Sequence, residues 1–402
     1  MTSDPTRRFV FGVTIEDVDM QLWYCDRSGC VASERFNYTV GSGVLSFVHT
    51  FVSLACAKDH QLGFDVGMRQ TPVTDGYSQG DLEMTVGKRI FYTTRPISNT
   101  GPDRVRSRGT RVWATCDKDN LDCMPRALKD CWANNSRHGE GDTYATILDH
   151  ADRLPAEAQK AKEGLLTGLC HRNVLASASY PNDTTFIRKE CTIGIPPDRP
   201  AIALVRPAND GPSASVHLSN IVGEIPQLPR VSAKQSASPR THYRIFNEKG
   251  VPASSLTNMT SVLTTLVGVA KGLNLLDKCG FIHGDVSIHN MLLVGSTGKL
   301  CDLEYVRESG GFNIAGHTYT DHTGTSAFLS HELTSGDWIY TTPDYMRATD
   351  DTPNFTQHIL HDAESLWWVF VHGRKSCSGL LRPSSCRAGA CLSQIFEPES
   401  CQ

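Results

Sequence analysis

The stretch FIHGDVSIHN, residues 281–290, crowds His283, Asp285, Ser287, His289 and Asn290 together just beyond an apolar run. Gly284 and the β-branched Val286 disfavour continued helix, so these polar groups fall on a loop. Farther along, NMLLVGSTGKLCDLEY reads as two short strands joined by Gly-Ser-Thr-Gly, and Asp302 follows them. The return of that hairpin would bring Asp302 beside Asn290. Two carboxylates and one amide oxygen would then share a small volume. Such an oxygen set suits Mg²⁺, which prefers one or two carboxylates plus substrate phosphates. A carboxylate held near the cation but off it can accept a hydroxyl proton, and phosphoryl transfer needs that division of labour. The plain alternative is a loop Asx-turn followed by an unrelated acidic turn. His283 is expected to support the loop rather than to serve as the base.

Periodicity outlines the elements that must hold these groups. Val262, Leu266, Val269, Leu273 and Leu276 recur at steps of four and three, which predicts one face of a helix over 260–279. Gly280 can end that helix in a left-handed conformation. HDAESLWWVFVH (361–372), apolar nearly all round, predicts a helix buried in a core. Near the start, RRFVFGVTIEDVDMQLWYCDRSGCVAS predicts strands and a hairpin, and GVLSFVHTFVSLACA a short buried helix. Residues 89–116 look strand-rich, with Arg108-Gly109-Thr110 between two β-prone segments. Lys129 sits on a strand that passes into a more polar helical pattern, and HYRIFNEKG (242–250) is a short strand running into a glycine. Residues 205–242, rich in Pro, Ser, Ala and Asn, read as a linker or insertion. Residues 373–402 are small, Cys-rich and weakly patterned.

Bulk composition narrows the classes. With 402 residues the chain can build one large two-lobed domain or two to three smaller ones. Hydrophobic content of 39% with 20% charged residues reads as globular and soluble. A net charge of −4 supplies no basic stripe, so no nucleic-acid partner is expected. No apolar run approaches the roughly 18–20 residues that cross a bilayer, so no membrane span is expected. The start reaches acidic residues too soon for a secretory signal. The 14 cysteines are scattered without a CxxC pair. Reduced thiols and an intracellular location, cytoplasmic or nuclear, are therefore expected.

Several stretches, taken in order, resemble the fungal-type protein kinase family of the protein kinase-like superfamily. They are RRFVFGVTIEDVDMQLWYCDRSG, HQLGFD (60–65), RGTRVW (108–113), ALKDCW (127–132), HYRIFNEKG, FIHGDVSIHNMLL, GTSAFLSHEL and HDAESLWWV, spanning Arg8 to His372. The resemblance implies an α+β, two-lobed protein kinase-like fold, with a small β-rich N-lobe and a mainly helical C-lobe. It divides the chain into a family-specific β/α extension (1–88), the N-lobe (89–204), a linker or insertion (205–242), hinge and C-lobe (243–372) and a diverged Cys-rich tail (373–402). The C-lobe is expected to be incomplete. ATP and Mg²⁺ are the implied cofactors, and Ser/Thr hydroxyls of a protein substrate the implied acceptors. Carried over by position, Asp285 would be the catalytic-loop base, a role that contributes about 10²–10⁴-fold. Asn290 and Asp302 would hold Mg²⁺, and Lys129 would reach the ATP phosphates with Glu140 pairing it. Arg108-Gly109-Thr110 would stand in for the phosphate-covering loop, and the strand end from Phe246 through Glu248 to Gly250 would be the hinge beside adenine. The segment from Gly324-Thr325 to Glu332 would close an activation-like segment, and Asp362 would brace the catalytic loop.

The pattern departs from typical protein kinases at three places. Gly284 stands where Arg is usual, Ser287 where a Lys is usual, and Leu303-Glu304 replace Phe-Gly. HGD with Asp-x-Glu also resembles small-molecule kinases of the choline and aminoglycoside type. Three readings follow: a Ser/Thr protein kinase, a pseudokinase acting as a binding or scaffold protein, and a small-molecule kinase. At single positions the bland alternatives are a solvated Lys129, a surface Glu140 and a Gly109 that serves an ordinary turn.

Overall fold

The computed structural model describes residues 4–71, 82–99, 107–117, 126–135, 138–177, 180–184, 239–309, 325–335 and 357–376. The expectations for 205–238, for Gly324 and for the tail past 376 lie outside the described residues.

Seven antiparallel strands form the main sheet, in the order Gly168–Asn173, Arg240–Asn247, Arg126–Asn134, Arg111–Asp117, Arg89–Asn99, Leu82–Val86 and Met68–Gln70. Leu82, Met84 and Val86 alternate inward and join Met68, Phe91, Trp113, Leu128 and Phe246 in one core. The other face of the middle strands carries Lys129 and Cys131, whose registered partners are Ile245 and Tyr243. The helix Glu140–Ala151 is tied to that second face, its Gly141 N–H donating to the Tyr243 hydroxyl at 2.8 Å. Ahead of the sheet, Val10–Glu16, Asp19–Asp26 and Gly29–Ala32 form a meander, with Phe36–Asn37 also pairing its middle strand.

A second core surrounds the helix Met259–Lys278. Leu266, Val269, Leu273 and Leu276 are buried on it as their spacing requires, among Ile147, Leu165, Phe281, Met291 and Leu300. Asn258 caps the helix, its Oδ1 accepting from Ser261 N–H at 2.8 Å, and Gly280 ends it at φ 81°. Among the described residues this is also a helix long and apolar enough to cross a bilayer, contrary to the expectation of no such run. The reason is local: its polar positions before Lys271 are Thr, Ser and Gly rather than charges. The hairpin Met291–Val294/Thr297–Leu300 and the helix Ile359–Ser376 complete this part. The chain therefore combines β-rich sheets with several helices, compatible with the α+β class expected.

Some expectations change. The helix forms at Gly41–Cys56, but only Gly43 is buried on it, while Val44, Leu45, Val48, Phe51 and Val52 are exposed. Val44, Phe47, Val48, Phe51 and Val52 recur at helical spacing and share one face, so periodicity drew the face correctly, but among the described residues most of it is open to solvent rather than packed. The boundary drawn at 88/89 falls inside the hairpin that pairs Val86 with Arg89, with Gly87 at φ 63° in its turn. Leu82–Val86 thus shares the sheet of Lys129. The strand after the linker begins at Arg240, inside the segment assigned to it. The last helix is sided, with Leu366 and Val369 buried and Trp367 half exposed.

Candidate active site

The loop after Gly280 is held from both sides. Asp362, at the start of the last helix, accepts the His283 N–H at Oδ2 (2.6 Å) and the Gly284 N–H at Oδ1 (3.0 Å). Gly284 sits at φ 78°, and a Cβ there would lie 3.0 Å from the Tyr305 carbonyl oxygen, so this turn requires glycine. His283 spends both ring nitrogens on backbone. Its Nδ1 accepts from Asp285 N–H at 3.3 Å, which leaves the Nε2 proton to donate to the Cys301 carbonyl at 3.1 Å. His283 is therefore a support of the loop, as expected. Asp285 Oδ2 accepts from Asn290 Nδ2 (3.1 Å), and its Oδ1 from the Thr325 N–H (3.0 Å). Burial raises the Asp285 pKa; His283 draws it back and the Asp302 charge adds to the rise.

The hairpin forms as expected, though only Gly295 and Ser296 make its turn and Thr297-Gly298 already pair in the second strand. Met291 pairs with Leu300, and the Asn290 carbonyl accepts the Cys301 N–H at 2.9 Å, so Asn290 lies one residue from Asp302 across the pair. Asp302 takes a left-handed backbone, φ 65° and ψ 64°. Its Oδ1 meets Lys129 Nζ at 2.7 Å, and Lys129 also meets Glu140 Oε2 at 2.8 Å. Glu140 begins its helix, where an acidic side chain is favoured by the amide dipoles. Burial opposes the charge on Lys129, but Asp302 and Glu140 outweigh it, and its pKa stands well above the ordinary lysine value. Burial likewise opposes the Asp302 charge, yet Lys129 and Arg108 hold that carboxyl well below the usual carboxylate range.

Arg108 belongs to the Arg-Gly-Thr expected to cover phosphates, but its meeting with Glu304 and Asp302 was not anticipated. Arg108 Nη1 reaches Glu304 Oε2 at 2.5 Å and Asp302 Oδ2 at 3.4 Å, and the guanidinium lies 5.5 Å from the Tyr305 ring centre. The signal was present as the charge in Arg-Gly-Thr and the second acid of Asp-x-Glu, but no local spacing joins them. Gly109 and Thr110 follow Arg108 at the head of the strand Arg111–Asp117. Gly109 has φ 53°, and a Cβ there would strike the Arg27 guanidinium at 2.7 Å, so its glycine serves that contact.

Two expected site residues point elsewhere. Phe246 follows Ile245, the partner of Lys129, and alternation turns its ring to the opposite face, where it packs on Phe91 with centroids 4.1 Å apart. Glu248 accepts from the Thr167 N–H at 2.8 Å and pairs with Lys299 at 2.6 Å. A small crevice does border Glu140, Ile245, Asn247 and Cys301, which makes Asn247 the strand-end residue on the site face. Beyond the loop, Glu332 accepts from His361 Nε2 at 2.8 Å. His361 Nδ1 accepts the His358 N–H and His358 Nδ1 the Leu360 N–H, so both rings turn an Nε2 proton toward Glu332. The segment Thr325–Glu332 is thus anchored at one end on Asp285 and at the other on the last helix.

The oxygen donors fit a divalent cation: Asn290 Oδ1 has no partner among the described residues, and the Arg108 contact to Asp302 Oδ2 is long. Comparison with known families finds a match over residues 1–373 to the family described as Fungal protein kinase. No curated protein matches the chain.

Proposed function

This chain belongs to the fungal protein kinase family, and from that premise we propose that it transfers the γ-phosphate of ATP to Ser/Thr hydroxyls of proteins. In this reading the seven-stranded sheet is the smaller lobe and the core around Met259–Lys278 the larger one. Asp285 orients the acceptor hydroxyl and takes its proton. Asn290 and Asp302 would hold Mg²⁺, which when bound neutralises charge on the phosphate oxygens. Lys129, kept in place by Glu140, anchors those phosphates, and Gly109 and Thr110 lie in the segment that covers them. Adenine falls to the main chain after Ile245 and Asn247, since Phe246 and Glu248 are spent on the sheet core and on Lys299.

The observation that carries the reading is the Lys129 ammonium bridging Glu140 (2.8 Å) and Asp302 (2.7 Å), with a half-buried Asp285 of raised pKa on the adjoining loop. Structural ion pairs also bury lysines, but three carboxylates converging from a helix, a loop and a hairpin are costly unless they serve a ligand. The test is transfer of label from γ-labelled Mg-ATP to generic protein substrates and to a metabolite panel, with Asp285→Ala and Asp302→Asn alongside. Labelled protein that disappears in both variants is expected, with at least a hundredfold loss for Asp285→Ala, on the scale of a removed base (about 10²-fold or more). Nucleotide binding without transfer would make the chain a pseudokinase, and label confined to metabolites a small-molecule kinase.

A further inference from the structure

We propose that Arg108 is a second phosphate-contacting cation of this site, with Glu304 as the residue that positions it. The inference rests on the kinase reading above and deepens it. Asp302 lies between two cation–glutamate pairs of the same design: Lys129 with Glu140 on one carboxylate oxygen, Arg108 with Glu304 on the other. A cation taking Asp302 would displace both contacts to that carboxylate. Lys129 would keep Glu140, and Arg108 would keep Glu304, which it meets at 2.5 Å against 3.4 Å for Asp302.

The guanidinium has donors to give. Among the described residues Nη1 makes both carboxylate contacts, so Nε and Nη2 remain for a ligand. Its side chain is 32% exposed, whereas those of Asp302 and Glu304 are 15% and 7% exposed, so it forms the open side of the cluster. Its backbone is pinned, since the Arg108 carbonyl accepts the Trp132 N–H on the lysine strand at 2.8 Å. Arg108 and Lys129 therefore keep a fixed spacing at their backbones while both side chains reach the same carboxylate.

The chemistry leaves a gap that this residue fills. Two positions after Asp285 stands Ser287, 1% exposed, its Oγ without a hydrogen-bond partner among the described residues, and it brings no charge to a phosphoryl group. In the transfer, the acceptor oxygen forms a bond to the γ-phosphorus as its proton passes to Asp285. The bond from phosphorus to the β–γ bridging oxygen breaks, and ADP departs with that electron pair. Negative charge stays on the γ-oxygens throughout, where a planar guanidinium with two unused nitrogens binds best.

The test is equilibrium binding of a Mg-bound, nonhydrolysable ATP analogue and of AMP to the full chain. Wild type is compared with Arg108→Gln, Arg108→Lys, Glu304→Gln and the double variant Arg108→Gln/Glu304→Gln, each checked for folding by circular dichroism. Arg108→Gln is expected to weaken the triphosphate about tenfold or more, the scale of one lost charge-assisted contact, and to leave AMP within about twofold. Arg108→Lys, which keeps the charge and the fold, should fall between. A role confined to neutralising Glu304 predicts recovery in the double variant; the proposal expects the double to bind as weakly as Arg108→Gln. Unchanged triphosphate affinity in Arg108→Gln, or recovery in the double, overturns the proposal while leaving the kinase reading intact. A wild-type chain that binds neither nucleotide overturns the kinase reading and this inference with it.

Discussion

Asp302 holds a left-handed backbone, which costs a non-glycine residue roughly 1–3 kcal/mol and persists where neighbours over-determine it. Lys129 and Arg108 supply that restraint through its two carboxylate oxygens. Asp285 and Asp302 are driven apart in pKa by their surroundings. Asp302 faces two cations and stays ionised, whereas burial raises Asp285 toward the range where a base is useful. A base acts only when ionised, so activity should fall as pH drops through the raised Asp285 value. The acid limb of kcat/KM is expected above 3.8, the ordinary aspartate value; a pH–rate profile with its limb at or below that value would remove the base from Asp285. At this scale the local residues were legible: Asp285, Asn290 and Asp302 are linked by one loop and one hairpin. The contact of Arg108 with Asp302 was not, because the two lie 194 positions apart.

The hairpin that delivers Asp302 rests on the central helix through a glycine contact. A Cβ on Gly268 would meet the Gly298 carbonyl oxygen at 2.1 Å, so helix and hairpin backbones touch without side chains between them. Gly268→Ala should push the hairpin outward at a cost of about 1–3 kcal/mol, the usual scale for overpacking. Urea unfolding measures the loss. A variant as stable as wild type would show that the hairpin yields freely and does not set the place of Asp302. Periodicity found this helix because a single stripe of Leu and Val faces the core. It misjudged the burial of Gly41–Cys56, whose apolar residues also share one face, since burial there depends on what else packs against it.

The N-terminal segment and the sheet are joined by a buried network that no stretch of sequence displays. Arg244 donates from Nε to Asp130 at 2.7 Å and pairs with Asp65 through Nη2, while His242 Nε2 lies 2.8 Å from Asp130. Arg244, Asp65 and Asp130 side chains are nearly inaccessible to solvent, so removing the arginine takes from two buried carboxylates the guanidinium they share and leaves only His242 between them. Arg244→Ala should cost about 3–5 kcal/mol, read from the denaturant midpoint; a loss under about 1 kcal/mol would mean that this network does not bind the two parts together. By itself, the sequence determined the strands and helices with a clear period, the turn at Gly295, the helix end at Gly280 and the local acid–amide set of the loop, because each follows from neighbours close along the chain. Only the tertiary structure decided which face Phe246 presents, that Glu140 meets Lys129 in the interior, and that Arg108 and Glu304 flank Asp302. Those outcomes depend on strand alternation within a particular sheet order and on desolvated charges finding one another across long loops, which composition and spacing do not encode.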